Sequence, residues 1–342
     1  MKKKIGIFIA VLALIGIFYA YRIYSRIYSS NVVETTFVYI PTGANFQEFL
    51  PLIEPYLKDV DGFVWVAEKK NYPNTIRAGK FKIDEGMSNE ELVNHLRGGK
   101  QETVTLTFNN QDSFEKLAGR IAAQIEADSL SVLNALQEKG FQKKNGFDVT
   151  TALSMYIPNS YDFYWNTSAD GFRDRMLTEY NRFWNEERLA KAEQLKLTPI
   201  QVSTLASIVQ KETAVVSERK TVAGLYLNRL WDFWPLQADP TIIYALKQKY
   251  GQDKEYKRVL NKDLTIDSPY NTYVNFGLPP GPIGMPDISS IDAVLNYEKH
   301  DYYYMCASVE NIGHHEFAKT LAEHNANARA YQKWVSEQGI NR

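Results

Sequence analysis

The stretch "SIVQKETAVVSER", residues 207–219, decides how the rest of the chain is read. Stepping about 100° per residue from Glu212 places Leu205, Ile208, Val209, Val215 and Val216 within about 60° of it, so the periodicity predicts one helix. Lys211 points to one side and Gln210 to the opposite face. Glu212 is the only carboxylate in residues 201–217, and it lies near the middle of the apolar stripe. A carboxylate there loses hydration, and lost hydration raises its pKa. A carboxyl that keeps its proton near neutral pH is suited to protonating a glycosidic oxygen. The structural alternative is an ion pair with Arg219 or Arg229 that ties helices together.

The neighbouring segments supply further candidates. "TVAGLYLNRL", residues 221–230, carries Gly224, whose missing Cβ permits close helix packing. Asn228 shares a face with Thr221 and Leu225 and can orient a partner or cap one. In "LQADPTIIY", residues 236–244, Asp239 before Pro240 marks a helix start, with a second catalytic carboxylate as the other reading. "YNTY" (270–273) and "GLPPGPIG" (277–284) read as rigid loops of the kind that shape a cleft. Glu218 reads as a solvated or helix-end charge beside Arg219. His314, His315, Glu316 and His324 contain no HExxH pattern, and on a single helix His315 and His324 would face opposite sides, so no metal site is expected. Nucleophile-elbow, P-loop and dinucleotide patterns are absent.

With 342 residues the chain has room for two or three modules. A net charge of −1 gives no support to a nucleic-acid partner. The single cysteine, Cys306, excludes an intrachain disulfide and reads as a small buried hydrophobe in a strand. The N-terminus is the clearest compositional signal. "MKKK" precedes the uncharged "IGIFIAVLALIGIFYAY", residues 5–21, near the lower limit for crossing a hydrocarbon core of roughly 30 Å. Tyr19, Tyr21 and Tyr24 suit one interface, and Lys2, Lys3 and Lys4 favour a cytoplasmic N-terminus. No small-x-small cleavage site follows the apolar run, so a retained anchor is expected rather than a cleaved signal peptide.

The predicted organisation is α+β. Residues 1–4 are cytoplasmic, 5–21 form a transmembrane helix and 22–35 a linker. Residues 36–108 form a small α+β module, in which Ser88 and Glu91 make a capping box and Gly98-Gly99 stops the helix. Residues 109–197 are a mostly helical connecting region, interrupted at "MYIPNSYDFYWNTSADG" (155–171). Residues 198–342 hold the chemistry.

Four motifs in this order, "SIVQKETAVVSERKTVAGLYLNRL", "LQADPTIIYAL", "YNTYVNFGLPPGPI" and "HHEFAKTLAEHN", resemble the YceG-like endolytic murein transglycosylases. "AGKFKIDEGMSNEELVNHLRGGKQETVTLTF" resembles that family's LysM-like subdomain. The resemblance implies a single-pass enzyme of the inner membrane, its catalytic domain extracytoplasmic, that needs no cofactor or metal. It would cut the β-1,4 bond between N-acetylmuramic acid and N-acetylglucosamine within nascent strands, leave 1,6-anhydro ends and limit strand elongation. Peptidoglycan synthases are the implied partners. The family's catalytic glutamate matches Glu212. The second glutamate common two residues earlier is Gln210 here. Asn159 and Ser160 replace an Asp-Thr pair, and Trp234 stands where Met is common. Asn228, Gln237, Asp239, Tyr270 and Asn271 are the candidate substrate-binding residues. Two other classes fit parts of the pattern: a non-catalytic peptidoglycan-binding scaffold, and a metal-dependent cell-wall peptidase built on the histidines.

Overall fold

The apolar N-terminal run folds as one long helix, α1 (Lys2–Tyr28), with a mean hydropathy of 2.1 over its most apolar window and none of that window buried. It is long and apolar enough to cross a membrane. It also runs on through Tyr28, into the stretch read as a linker. The computed structural model describes residues 2–251, 254–256 and 258–338. These fall into two compact units.

The first unit comprises the chain up to Leu106 together with residues 122–128 and 161–168. Strand β1 (Thr36–Ile40) pairs antiparallel with β2 (Gly79–Ile83), Val38 opposite Phe81. Alternation sends Val38, Ile40, Phe81 and Ile83 to one face. That face packs on α2 (Phe46–Ile53), α3 (Val60–Lys69) and α4 (Asn89–Gly98) through Phe49, Ile53, Phe63, Val66, Leu92 and Leu96. Asn45 with Glu48, and Ser88 with Glu91, form capping boxes that fix the starts of α2 and α4. The polar interruption after residue 155 conceals a strand. β3 (Thr103–Phe108) pairs with β4 (Asn159–Tyr164), not with β2.

The second unit comprises residues 107–121, 129–160 and the chain from Ala169 onward. Short helices α5 (Phe114–Ala122), α6 (Ser129–Leu136) and α7 (Lys139–Lys144) lead to α8 (Ala169–Phe183) and α9 (Glu186–Gln194). The centre is α10 (Pro199–Glu212), buried all round from Val202 to Val209. A helix apolar on every side is a core helix. Packed around it are α11 (Arg219–Trp231), α12 (Asp239–Tyr250) and α13 (Ile288–Leu295). The hairpin of β5 (Tyr304–Ala307) and β6 (His315–Ala318) packs on α14 (Leu321–Glu337). Cys306 in β5 is only half-buried, short of the buried position expected for it.

The expectation of a continuous helix through Glu212 is overturned. Residues 207–219 are not a single helix. α10 stops at Glu212, Thr213 is extended (φ −133°, ψ 132°), and a short 3₁₀ turn over Val216–Glu218 leads into α11. Thr213 makes the break. Its hydroxyl accepts the Val215 N–H at 3.0 Å and donates to Glu218 at 2.9 Å. Such side-chain bonds offer the backbone an alternative to the helix. Val216, placed on the apolar stripe by periodicity, is 58% exposed.

Gly224 does serve close packing, though against a loop and not a helix. A Cβ there would collide with the Glu298 carbonyl and the His300 ring. Gly224→Ala is therefore expected to destabilise the protein by about 1–3 kcal/mol in urea unfolding. The same change at Gly119 in α5, where a Cβ meets open space, should instead stabilise by up to about 1 kcal/mol.

Candidate active site

Glu212 is the last residue of α10, where the helix dipole presents its negative end. The residue is half-buried, keeping partial access to solvent. Its Oε1 accepts a hydrogen bond from the buried Tyr226 hydroxyl of α11 at 2.8 Å. Burial pushes the Glu212 pKa up to about 7. The charge of nearby Asp239 adds to the rise, while the Tyr226 hydrogen bond and the Arg229 charge oppose it. Desolvation is the dominant cause, and the dipole acts in the same direction.

Neither arginine takes the ion-pair role considered for it. Arg219 binds Asp287 at 2.8 Å and the Ser289 hydroxyl at 2.7 Å. Arg229 is buried. It gives Nε to the Tyr303 carbonyl at 2.8 Å and Nη1 to the Leu236 carbonyl at 2.5 Å. It thus lends Glu212 a nearby positive charge without closing a salt bridge.

Glu218 departs from the solvated role read for it. It is 7% exposed and accepts hydrogen bonds from the Thr213 hydroxyl, the His315 N–H at 2.7 Å and the His315 ring at 2.8 Å. Burial alone would raise its pKa, but these hydrogen bonds outweigh burial and hold it below the usual range. The two glutamates are driven to opposite protonation states by their surroundings. His315 is engaged in this contact and lies in β6, while His324 in α14 stacks on Tyr304. Among the described residues no group of three His, Cys, Asp or Glu side chains could hold a metal ion.

The predicted site residues divide into two groups. Gln237 and Asp239 are exposed on the loop and first turn leading into α12. Asp239 does begin a helix, but Ala238 is the capping position. The Asp239 carboxylate instead accepts the Tyr273 hydroxyl at 2.6 Å. Asn228, Tyr270 and Asn271 are engaged within the protein. Asn228 donates to the His300 and Tyr302 carbonyls at 2.8 and 3.1 Å. Asn271 is fully buried; it donates to the Leu264 and Ile266 carbonyls and accepts the Tyr273 N–H. Tyr270 is buried against Tyr244, ring centroids 4.6 Å apart. Thr272 accepts the Ala238 N–H at 3.0 Å and so sews this loop to the start of α12. The residues near the acid that sequence reasoning missed are Tyr226 and Tyr273. The first falls among leucines and reads as core, and the second lay unremarked two residues past Asn271.

The model of the YceG-like family matches residues 38–330. The chain belongs to this family. An endolytic murein transglycosylase of Bacillus subtilis is 29% identical over 320 residues, which is 88% of this chain and 85% of that protein. The endolytic murein transglycosylase of Streptococcus pneumoniae strain D39 is 29% identical over 352 residues, covering 94% of this chain and 63% of its own length. The crystal structure of a YceG-like protein from Listeria monocytogenes matches with a TM-score of 0.56 and 28% identity, over 86% of this chain and 98% of that one. Within the YceG-like frame, Gln210 has a role of its own here. Its amide oxygen accepts the Asp287 N–H at 2.5 Å and the Ser290 hydroxyl at 3.2 Å, tying α10 to the start of α13.

The raised pKa of Glu212 has a stability consequence. Between about 4.5 and 7 the folded state binds more protons than the unfolded chain, so stability falls as pH rises through that window. Glu212→Gln removes the penalty. The variant is expected to be more stable than the parent by about 3 kcal/mol at pH 8, with the difference vanishing below pH about 4.5, in denaturant titrations.

Proposed function

We propose that this YceG-like protein is an endolytic murein transglycosylase in which Glu212 is the single acid/base. The observation carrying the proposal is a carboxyl at the end of a buried helix that burial keeps protonated to about pH 7, with no salt-bridge partner among the described residues. Because Oε1 already accepts the Tyr226 hydroxyl, Oε2 is the atom left to hold the proton and face a ligand. Oε2 gives that proton to the glycosidic oxygen as the bond to C1 of the muramoyl residue breaks. The resulting carboxylate is steadied by Tyr226 and the Arg229 charge. It then takes the proton of the C6 hydroxyl as that oxygen closes on C1. Donor and acceptor are the same group, so the cycle restores the enzyme. No water is activated, and no second carboxylate is needed to position one, unlike a hydrolase with a separate acid and base.

Asp239 supports this cycle at a distance, its negative charge helping Glu212 recover its proton. Gln237 and Asp239 are exposed and are the substrate-contacting members of the set. Asn228, Tyr270 and Asn271 hold the walls against which those groups are set. The same reading takes α1 as a membrane anchor with the two units outside the cytoplasm, the unit around β1 and β2 as a LysM-like glycan-binding module, and peptidoglycan synthases as neighbours.

The test is mass spectrometry of uncrosslinked glycan strands digested by the full chain. Mid-strand products lighter than hydrolysis products by one water are expected. Glu212→Gln should lower their rate by at least about 100-fold. Products at the hydrolytic mass, or unchanged cleavage by the variant, would sink the assignment. The rate should also fall as pH rises above about 7, where Glu212 enters the cycle without its proton.

A further inference from the structure

The end of α11 contains a costly residue that the mechanism above does not use. The chain leaves the helix in a Schellman turn. The Phe233 N–H reaches the Leu230 carbonyl and the Trp234 N–H reaches the Arg229 carbonyl at 2.8 Å. The position that must turn left-handed is Phe233, with φ 58°. Glycine is the usual residue there, because a side chain crowds the backbone in that region. A large aromatic at that φ is a conformational outlier. Packing does not repay it, since Phe233 is 83% exposed.

The next residue, Trp234, is 40% exposed and is backed by two rings, Tyr303 at 5.2 Å and Tyr304 at 5.8 Å between centroids. The loop is fastened at several points. Tyr303 donates its hydroxyl to Asp232, the Leu236 carbonyl is held by Arg229, and the Gln237 N–H reaches the Thr272 carbonyl at 3.0 Å. Arg229 also lies 5.9 Å from the Tyr304 ring, and its charge reaches Glu212. One buried arginine therefore borders both the acid and the footing of the two exposed aromatics.

Strain that persists because its surroundings over-determine it is a mark of function. A rigid aromatic with one side in water and little rotamer freedom to lose is suited to an amphipathic flat partner. A hexosamine ring is one, with its C–H bonds on a face and its hydroxyls on the rim. We infer that Phe233 and Trp234 form an aromatic platform that seats a hexosamine ring of the glycan strand beside Glu212. The inference rests on the transglycosylase reading, and its occupant is argued from continuity with the acid through Arg229 and Tyr304.

The experiment compares peptide-free, uncrosslinked glycan strands binding to the full chain carrying Glu212→Gln, alone and with Phe233→Gly or Trp234→Ala. Calorimetry gives the affinity and thermal unfolding gives the stability. Phe233→Gly is expected to raise Tm, because glycine accepts φ 58° freely, and yet to weaken strand binding several-fold. Trp234→Ala is expected to weaken it by about tenfold or more. In the Glu212 parent, both should raise KM more than they change kcat. A higher Tm with unchanged affinity and KM would overturn the platform. So would unchanged affinity together with an altered oligomeric state in light scattering, which would make the patch a contact between copies of this chain. If the parent cuts no strands while binding still depends on Trp234, the platform stands and the transglycosylase reading fails.

Discussion

The hydrogen bond from the Thr213 hydroxyl to the buried Glu218 carboxylate determines where α10 stops. If the helix ran on through Val216, Glu212 would sit inside a continuous turn, with its carboxyl directed by the helical ladder. Because it stops, Glu212 becomes a terminal residue at the negative end of the dipole, and α11 folds back to deliver Tyr226 to its carboxyl. His315 closes the arrangement from β6 by satisfying the remaining acceptor capacity of Glu218. Two consecutive helices and a distant strand are thereby committed to one geometry by a single buried anion. A buried carboxylate is tolerable only when it is hydrogen-bonded in this way.

The electrostatics of the cleft follow from that frame. Two glutamates six positions apart experience opposite environments. Glu218 receives donors from three directions and stays an anion. Glu212 receives one donor, a desolvated setting and the charge of Asp239, and so retains its proton. Arg229 keeps the difference from becoming extreme. Its guanidinium is spent on the backbone carbonyls of Tyr303 and Leu236, so its charge is felt at Glu212 without a direct contact.

Much of this was legible in the residues, and the exceptions have physical causes. Hydrophobic periodicity located α10 and singled out Glu212, since a lone carboxylate in an apolar run is conspicuous by itself. The same periodicity overran the helix end. Val215 and Val216 happen to fit the stripe, and periodicity carries no information about a threonine whose hydroxyl accepts the backbone N–H two residues on. The cap of α4 is local and was read, whereas the equally local box of Asn45 and Glu48 at α2 was passed over. β4 could not be read, because its pairing with β3 is a long-range fact and its sequence, Asn-Ser-Tyr-Asp-Phe-Tyr, is polar on one side and interrupted by turn formers. Asn228 was noticed for the helix face it shares with Thr221 and Leu225, and Asn271 through the family resemblance, yet the amides of both are engaged by backbone carbonyls. Spacing alone cannot distinguish a side chain that holds a loop from one that faces a ligand.

The end of α1 carries a consequence of a different kind. Its last turns are not a free leash. Ile27 packs against the core of the first unit, and Asn89 donates to the Arg26 carbonyl at 2.8 Å. Asn31, just beyond, bonds both Asn89 and the Asp59 backbone. If α1 is set in a bilayer, as proposed above, the first unit would behave as a bracket on a post. It would turn as the helix rolls and lean as the helix tilts, and its height above the lipid would be set by helix geometry and not by the coil statistics of a linker. Lengthening or shortening the helix by single residues would swing that unit about the axis by roughly 100° each, a coarse rotary adjustment that no flexible tether could transmit.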